Sequence, residues 1–154
     1  MPYFAQLSDR EVRAVAEFIK FFSPKWRQPE NFAAPVKLPD APDWLADTAP
    51  TMERAAKGKT TFALACVSCH GELADGKGPA LADLKDAWGD PAQPADLRQP
   101  AFRNGRTPAD IFRVLTLGIH GTPLASFAET LTAEQRWELA AFVGTLRPST
   151  TARK

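Results

Sequence analysis

The 154-residue chain has no apolar run approaching the roughly 18 residues needed to cross a bilayer, so nothing in it reads as a membrane span. It has no excess of charge either. Its 19 Lys and Arg stand against 18 Asp and Glu, a formal net charge of +1, which excludes the basic field of a nucleic-acid-binding domain and leaves no acidic tail. Two cysteines and two histidines are the whole stock of thiol and imidazole ligands, too few for a disulfide framework or a rich metal cluster. No Ser/His/Asp set, HExxH or phosphate loop is present, and Gly76-Lys77-Gly78 is too short to be one. The first residues, Met1 to Asp9, carry neither the charged n-region nor the apolar h-region of a secretory signal. No stretch alternates apolar and polar residues, so no sheet is expected.

What is there is helical punctuation. Ser8 with Glu11 forms a capping box ahead of Val12, Val15, Ala16, Ile19 and Phe22, which predicts a helix over 8–22 stopped by Pro24. From Pro24 to Pro50 six prolines alternate with Trp26, Phe32 and Trp44, an extended linker whose aromatics argue that it lies on a surface. Thr51 is expected to cap a second helix running to about Cys66, with Gly58 and Phe62 one turn apart on the same face. A mid-helix glycine costs about 1 kcal/mol relative to alanine, which points to a close helix crossing at Gly58. Residues 71–100 read as loop. Thr107, Pro108 and Asp110 start a third helix carrying Ile111, Val114 and Leu115 to Gly118. A second capping box, Thr132 with Gln135, opens the last, with Leu139, Ala140, Val143 and Leu146 before Pro148.

The first 24 residues repeat the end of the chain. Met1 to Ala5 aligns with Leu124 to Ala128, and with one extra residue at Thr130 the match continues through Leu7/Leu131, Ser8/Thr132, Val15/Leu139, Ala16/Ala140, Phe18/Phe142, Ile19/Val143 and Pro24/Pro148. Residues 1–23 are therefore expected to be a helical remnant copying the end of a preceding domain.

The chemistry lies in Cys66-Val67-Ser68-Cys69-His70, a CxxCH, the attachment signature of a c-type haem. Two thiols one helical turn apart meet the two vinyl groups on one haem edge, and the adjacent histidine is turned toward the iron. A thioredoxin-like CxxC would need a strand-rich context that this chain lacks. A zinc site would have to recruit Cys66, Cys69, His70 and His120, and the directly adjacent Cys69 and His70 are unlike the separated ligand pairs of such sites.

Residues 51–147 resemble a class I c-type cytochrome domain. The resemblance rests on the Gly58 and Phe62 helix entering the CxxCH, then Gly71, Asp75-Gly76-Lys77-Gly78-Pro79-Ala80, Gly118-Ile119-His120-Gly121-Thr122-Pro123, and a last helix with Trp137 and Phe142. It implies an all-α fold of three main helices wrapped around one covalent haem c, with a Pro-rich linker over 24–50, the cytochrome domain over 51–148 and a tail at 149–154. It also implies that Pro79 offers its carbonyl to the ligating histidine His70. Phe62, Phe112, Phe127, Trp137 and Phe142 are expected to line the haem crevice or the helix crossing. Arg98, Arg103, Arg106 and Arg113 are candidate partners for the haem propionates, as is Trp88. Lys57, Lys59, Lys77 and Lys85 are candidates to flank an exposed haem edge.

The chain departs from the family at the sixth position of the iron. Where the family reads Gly-Thr-x-Met-Pro this sequence has Gly121-Thr122-Pro123-Leu124-Ala125, and leucine cannot ligate iron. Three occupants remain: His120 in the same loop, an open or water-bearing site behind Leu124, or a ligand from elsewhere, including Met1. Met52 opens the helix that ends at Cys66, about 20 Å away at 1.5 Å per residue, and is poorly placed. The expected function is one-electron transfer in a respiratory or periplasmic chain, with a redox protein as partner. The alternatives are a haem subunit of a larger oxidoreductase or a gas-binding haem. Haem attachment in this family is extracytoplasmic, so the chain is expected to belong to an exported, longer diheme polypeptide.

Overall fold

The computed structural model describes residues 6–28, 36–99 and 107–147. The chain divides into two compact units, Met1–Leu38 and Pro39–Lys154. Among the described residues the regular structure is helical, with a lone antiparallel bridge between Lys85 and Pro91 in place of any sheet.

The first unit is built around α1, Asp9–Lys20. Its capping box is formed as the sequence predicts: the Ser8 hydroxyl accepts from Glu11 N, and the Glu11 carboxylate accepts from Ser8 N at 2.8 Å. Two donors that no helix can satisfy for itself are thereby bonded. None of its twelve residues is buried.

The second unit contains α2 (Thr48–Ala65), the single turn α3 (Val67–His70), α4 (Pro108–Leu117) and α5 (Ala133–Thr145). Helix α2 starts three residues before the expected Thr51. Asp47 is its N-cap, and Thr51 Oγ1 instead donates to the Trp44 carbonyl at 2.8 Å, tying the preceding 3-10 turn Asp43–Ala46 to the helix. The Arg54 guanidinium lies over the Trp44 ring at 5.7 Å. Residues 39–50, part of the linker expected over 24–50, cluster with the second unit.

Helices α2 and α5 cross at Gly58. A β-carbon there would overlap the Glu138 carbonyl oxygen and lie 2.9 Å from Leu139 N, so only glycine allows the backbones this close. One turn on, the Phe62 and Phe142 rings pack at 5.3 Å. Arg54 reaches across the same crossing to pair with Glu134 and, at 3.1 Å, with the buried Glu138. Helix α4 lies against α5 through the Phe112 and Trp137 rings, stacked 4.0 Å apart. Arg136, though buried, is satisfied by Thr116 Oγ1 at 2.9 Å and by the Phe112 ring face. Phe112 and Leu139 are the largest fully buried side chains, each contributing about 1.5–3 kcal/mol by burial. The two packed contacts hold α2, α4 and α5 as a frame, and the chemistry-bearing loops hang from its ends. No helix among the described residues is long and apolar enough to cross a membrane.

Candidate functional site

Cys66 ends α2, and the chain turns helically once more before leaving. Cys69 N and His70 N both donate to the Cys66 carbonyl, at 3.2 and 2.9 Å, and Gly71, at φ 76°, breaks the turn. This places the two thiols at the two ends of one helical turn, three residues apart, with His70 next to the second. Both cysteines are free and half-buried.

The following loop folds back onto this turn by backbone bonds. Gly76 N donates to the His70 carbonyl at 2.9 Å, Gly78 N to Cys69 at 3.1 Å and Ala80 N to Ser68 at 2.9 Å. A β-carbon on Gly78 would overlap the Ser68 carbonyl oxygen, so the glycine is what lets the loop lie flat against the CxxCH turn. A second segment then runs beside the loop. Leu97 N donates to the Ala74 carbonyl at 2.8 Å and Gln93 Nε2 to the Gly76 carbonyl at 3.0 Å, and a β-carbon on Gly76 would strike the Pro94 carbonyl oxygen.

That second segment carries the carbonyl that meets His70. His70 Nδ1 lies 3.0 Å from the Ala95 oxygen, so the role expected of Pro79 falls to Ala95. The reason is the path of the backbone: Pro79 lies between Gly78 and Ala80, which are bonded to Cys69 and Ser68, whereas the Pro94–Leu97 segment passes beside the His70 ring. A carbonyl can only accept, so Nδ1 carries the proton and Nε2 is left with its lone pair. Burial lowers the His70 pKa, partly opposed by the Ala95 bond, which keeps the imidazole neutral and ready to ligate. Burial, with Cys69 nearby, pushes the Cys66 thiol up to about 11, so it stays a protonated thiol at neutral pH.

The donor set fits a covalently attached haem. A neutral histidine with a fixed tautomer and two unlinked thiols one turn apart are what iron and two vinyl groups require. The same set does not make a zinc centre, since among the described residues no three His, Cys, Asp or Glu side chains converge on a metal-sized site.

The loop that would face the other side of the iron is tightly fixed. Helix α4 ends at Gly118, φ 69°, where a β-carbon would lie 2.8 Å from Leu124 O and from Ser126 N. Ile119 N donates to the Leu124 carbonyl at 2.9 Å, closing the loop, and Thr122 N donates to Ile119 at 3.1 Å, making a turn with His120 and Gly121 at its centre. Leu124 is half-buried on the return limb, with its amide held by Thr122 Oγ1 at 3.2 Å. His120 is exposed and lines a cavity of about 340 Å³ with Arg113, Val114, Leu117, Gly118 and Ile119, to which Cys66, Cys69 and His70 contribute nothing. A hairpin over 85–91 leans on this loop, Ala87 N donating to the Gly121 carbonyl at 3.0 Å and the Trp88 ring lying against Gly121.

The remaining candidates are dispersed. Arg98 is held in a bidentate pair by Asp96 at 2.8 and 2.9 Å, and Arg113 pairs with Asp110 at 3.1 Å. Arg103, Arg106 and Met1 lie outside the described residues. Met52 is exposed in the early part of α2, far along the helix from Cys66. Lys57, Lys59, Lys77 and Lys85 are all exposed, and Lys57 is 3.9 Å from Glu53. The sequence reasoning missed Ala95, because a backbone carbonyl leaves no mark on residue type. The one usable signal was Gly76, whose missing side chain admits the Pro94–Leu97 segment.

The sequence profile of the family described as cytochrome C oxidase, cbb3-type, subunit III matches residues 53–143. No curated protein matches the chain. Among solved structures, a chain of the Kuenenia stuttgartiensis reducing HAO-like protein complex is 29% identical, with a TM-score of 0.79 over 96% of this sequence. The present chain spans 65% of the length of that one.

Proposed function

The chain belongs to the cbb3-type cytochrome c oxidase subunit III family, a family of class I c-type cytochrome domains, and from that premise we propose that it carries one haem c, bound through Cys66, Cys69 and His70, as an extracytoplasmic electron carrier. The observation that carries the proposal is the His70 Nδ1 to Ala95 bond at 3.0 Å beside two free thiols. Haem bound there supplies a one-electron ferric/ferrous couple. The protein holds the His70 ring at a fixed orientation, presents the Nε2 lone pair and sets two unlinked thiols one turn apart for addition to the vinyl groups. The Ala95 carbonyl raises the basicity of the ligand by accepting a hydrogen bond from Nδ1–H.

On the opposite side the loop 118–124 carries Leu124 where the family carries a thioether. The turn that exposes His120 and the bond that fixes Leu124 support an iron faced by a leucine side chain, open to water or a small ligand, in preference to ligation by His120. The partner is a redox protein, or the other subunits of a larger oxidoreductase. The second option is supported by the similarity to a chain from a multi-protein complex.

Visible spectra of the ferric and ferrous protein, with and without carbon monoxide, test this reading. The expected result is a high-spin ferric spectrum and a ferrous spectrum that shifts with the gas, both unaltered by His120→Ala. A low-spin spectrum indifferent to carbon monoxide that becomes high-spin in His120→Ala would overturn the open site and assign the sixth ligand to His120.

A further inference from the structure

The Ala95 carbonyl that meets His70 belongs to the peptide unit between Ala95 and Asp96, so its aim is set by how the chain is held on either side. Downstream it is held by the backbone and by an ion pair. Leu97 N donates to the Ala74 carbonyl at 2.8 Å. The Asp96 carboxylate closes a local turn, accepting from Arg98 N at 3.0 Å, from the Arg98 guanidinium at 2.8 and 2.9 Å and from Gln99 Nε2 at 3.2 Å. Upstream, the nearest backbone anchor among the described residues is Ala92 N to the Leu84 carbonyl at 2.9 Å, which ties the chain to the base of the 85–91 hairpin and not to the loop lying on the CxxCH turn. Pro94, next to Ala95, has no N–H to give.

Gln93 supplies the upstream anchor with its side chain. Its Nε2 donates to the Gly76 carbonyl at 3.0 Å in a part-buried bond and approaches the Pro94 carbonyl at 3.5 Å. One amide thus bridges two acceptors at the seam where the missing Gly76 side chain lets Pro94 come close. Gly76 N in turn donates to the His70 carbonyl at 2.9 Å. The bonds make a closed circuit: from the His70 carbonyl to Gly76, from Gly76 to the Gln93 amide, along two residues to Ala95, and from the Ala95 carbonyl at 3.0 Å back to His70 Nδ1. Gln93 is the one link in that circuit made by a side chain other than the imidazole itself.

We propose that Gln93 is a positioning residue for the iron ligand: by tying the segment ahead of Ala95 to Gly76 it holds the Ala95 carbonyl on His70 Nδ1–H, and so sets the reduction potential of the haem. The inference rests on the carrier reading of Cys66, Cys69 and His70 and deepens it by naming a residue outside the CxxCH that governs the site. A firm bond to Nδ1–H pushes electron density onto Nε2, which favours the ferric state. A slackened bond favours the ferrous state and raises the potential. Gln93 is uncharged, so replacing it changes this bond without removing a charge from the neighbourhood, as replacing Asp96 would.

The test is Gln93→Leu in the haem-loaded chain, read by a spectroelectrochemical titration and by the His70 Nδ1–H proton resonance of the diamagnetic ferrous protein under carbon monoxide. The ferric/ferrous balance should move toward ferrous by about threefold to tenfold, about 30–60 mV for a one-electron couple. The Nδ1–H resonance should move upfield and exchange faster with solvent. Thr51→Val, which removes the 2.8 Å bond to the Trp44 carbonyl at the far end of α2, should lower Tm and leave both readings unchanged. If Gln93→Leu fails to retain haem, Gln93→Asn, one methylene short of the Gly76 oxygen, carries the same expected shifts and the same refutation. A haem-bearing variant whose potential and resonance match the wild type would overturn the proposal. So would a potential that rises while the resonance stays in place, since the effect would then not pass through His70. The haem count after denaturation reads the carrier assignment separately: a wild-type chain without covalent haem overturns both, whereas a haem-bearing chain indifferent to Gln93 leaves the carrier assignment standing.

Discussion

Gly58→Ala isolates the helix crossing on which the site frame depends. In a solvent-exposed helix this change would stabilise by about 1 kcal/mol, the difference in helix propensity between the two residues. Here the added methyl group would lie 2.5 Å from the Glu138 carbonyl carbon and closer still to its oxygen, against an ordinary separation of about 3.5 Å. Backbone atoms cannot rotate away, so α2 and α5 must part by about 1 Å, loosening the Phe62 and Phe142 contact and the Arg54 to Glu138 pair one turn to either side. Overpacking of this sort costs about 1–3 kcal/mol and occasionally more, which outweighs the propensity gain. Because the clash is with backbone at under 3 Å the cost falls in the upper part of that range, about 2–3 kcal/mol, so the expected net loss is about 1–2 kcal/mol, a fall in Tm of about 5–15 °C for a domain of this size. Gly144→Ala is the matched control. Gly144 lies in α5 with nothing within 4 Å of an added β-carbon, so there the propensity gain is unopposed and Tm should rise. Thermal unfolding of the haem-loaded protein, followed by far-UV circular dichroism, gives both numbers. A Gly58→Ala protein at least as stable as the wild type would refute the crossing.

Other perturbations probe the site and its supports. Arg54→Met should lower Tm more than Glu134→Gln, because Arg54 pairs with the buried Glu138 as well as with the exposed Glu134; equal effects in the same melts would count against that. Gly78→Ala should reduce the yield of covalent haem, measured as the haem-bearing fraction by mass spectrometry, since the loop can no longer lie against the Ser68 carbonyl. Arg98, through its hydrogen bonds, holds the Asp96 carboxyl well below the usual carboxylate range, a depressed pKa whose stabilisation is complete above the unfolded value of about 3.9 and fades only as pH falls below it. Asp96→Asn should therefore lower stability at neutral pH, with the difference from wild type vanishing in strong acid; a difference that persists there would contradict the assignment.

Much of the frame was legible because it is written in residue types. Ser8, Thr107 and Thr132 with their acidic or amide partners three residues on mark helix starts; Ser8 and Thr132 form the predicted reciprocal caps, and Thr107, expected as a simple cap, forms one with Asp110 as well. Gly58 announced the crossing because a glycine in a helix is costly unless something needs the space. The CxxCH was legible for the same reason, its spacing being dictated by two thiols and a histidine on one turn. What escaped was backbone geometry. The acceptor for His70 is the carbonyl of Ala95, a residue with no functional side chain, and a proline nearer in sequence was the more visible candidate. The start of α2 was misplaced at Thr51 because a threonine hydroxyl serves equally to cap a helix or, as here, to bond the Trp44 carbonyl behind it. His120 was legible as a candidate from its place in the loop before Leu124, but the turn from Ile119 to Thr122 that carries it is backbone geometry with no mark in residue type.

The central claim is that haem is held covalently by the turn from Cys66 to His70. Intact-mass measurement under denaturing conditions tests it most directly, on protein produced together with a c-type haem attachment system. The account predicts that the 154-residue chain retains the mass of one haem after denaturation and that Cys66→Ala with Cys69→Ala loses it entirely. A wild-type chain that releases its haem on denaturation, or a double variant that keeps it, would contradict the account.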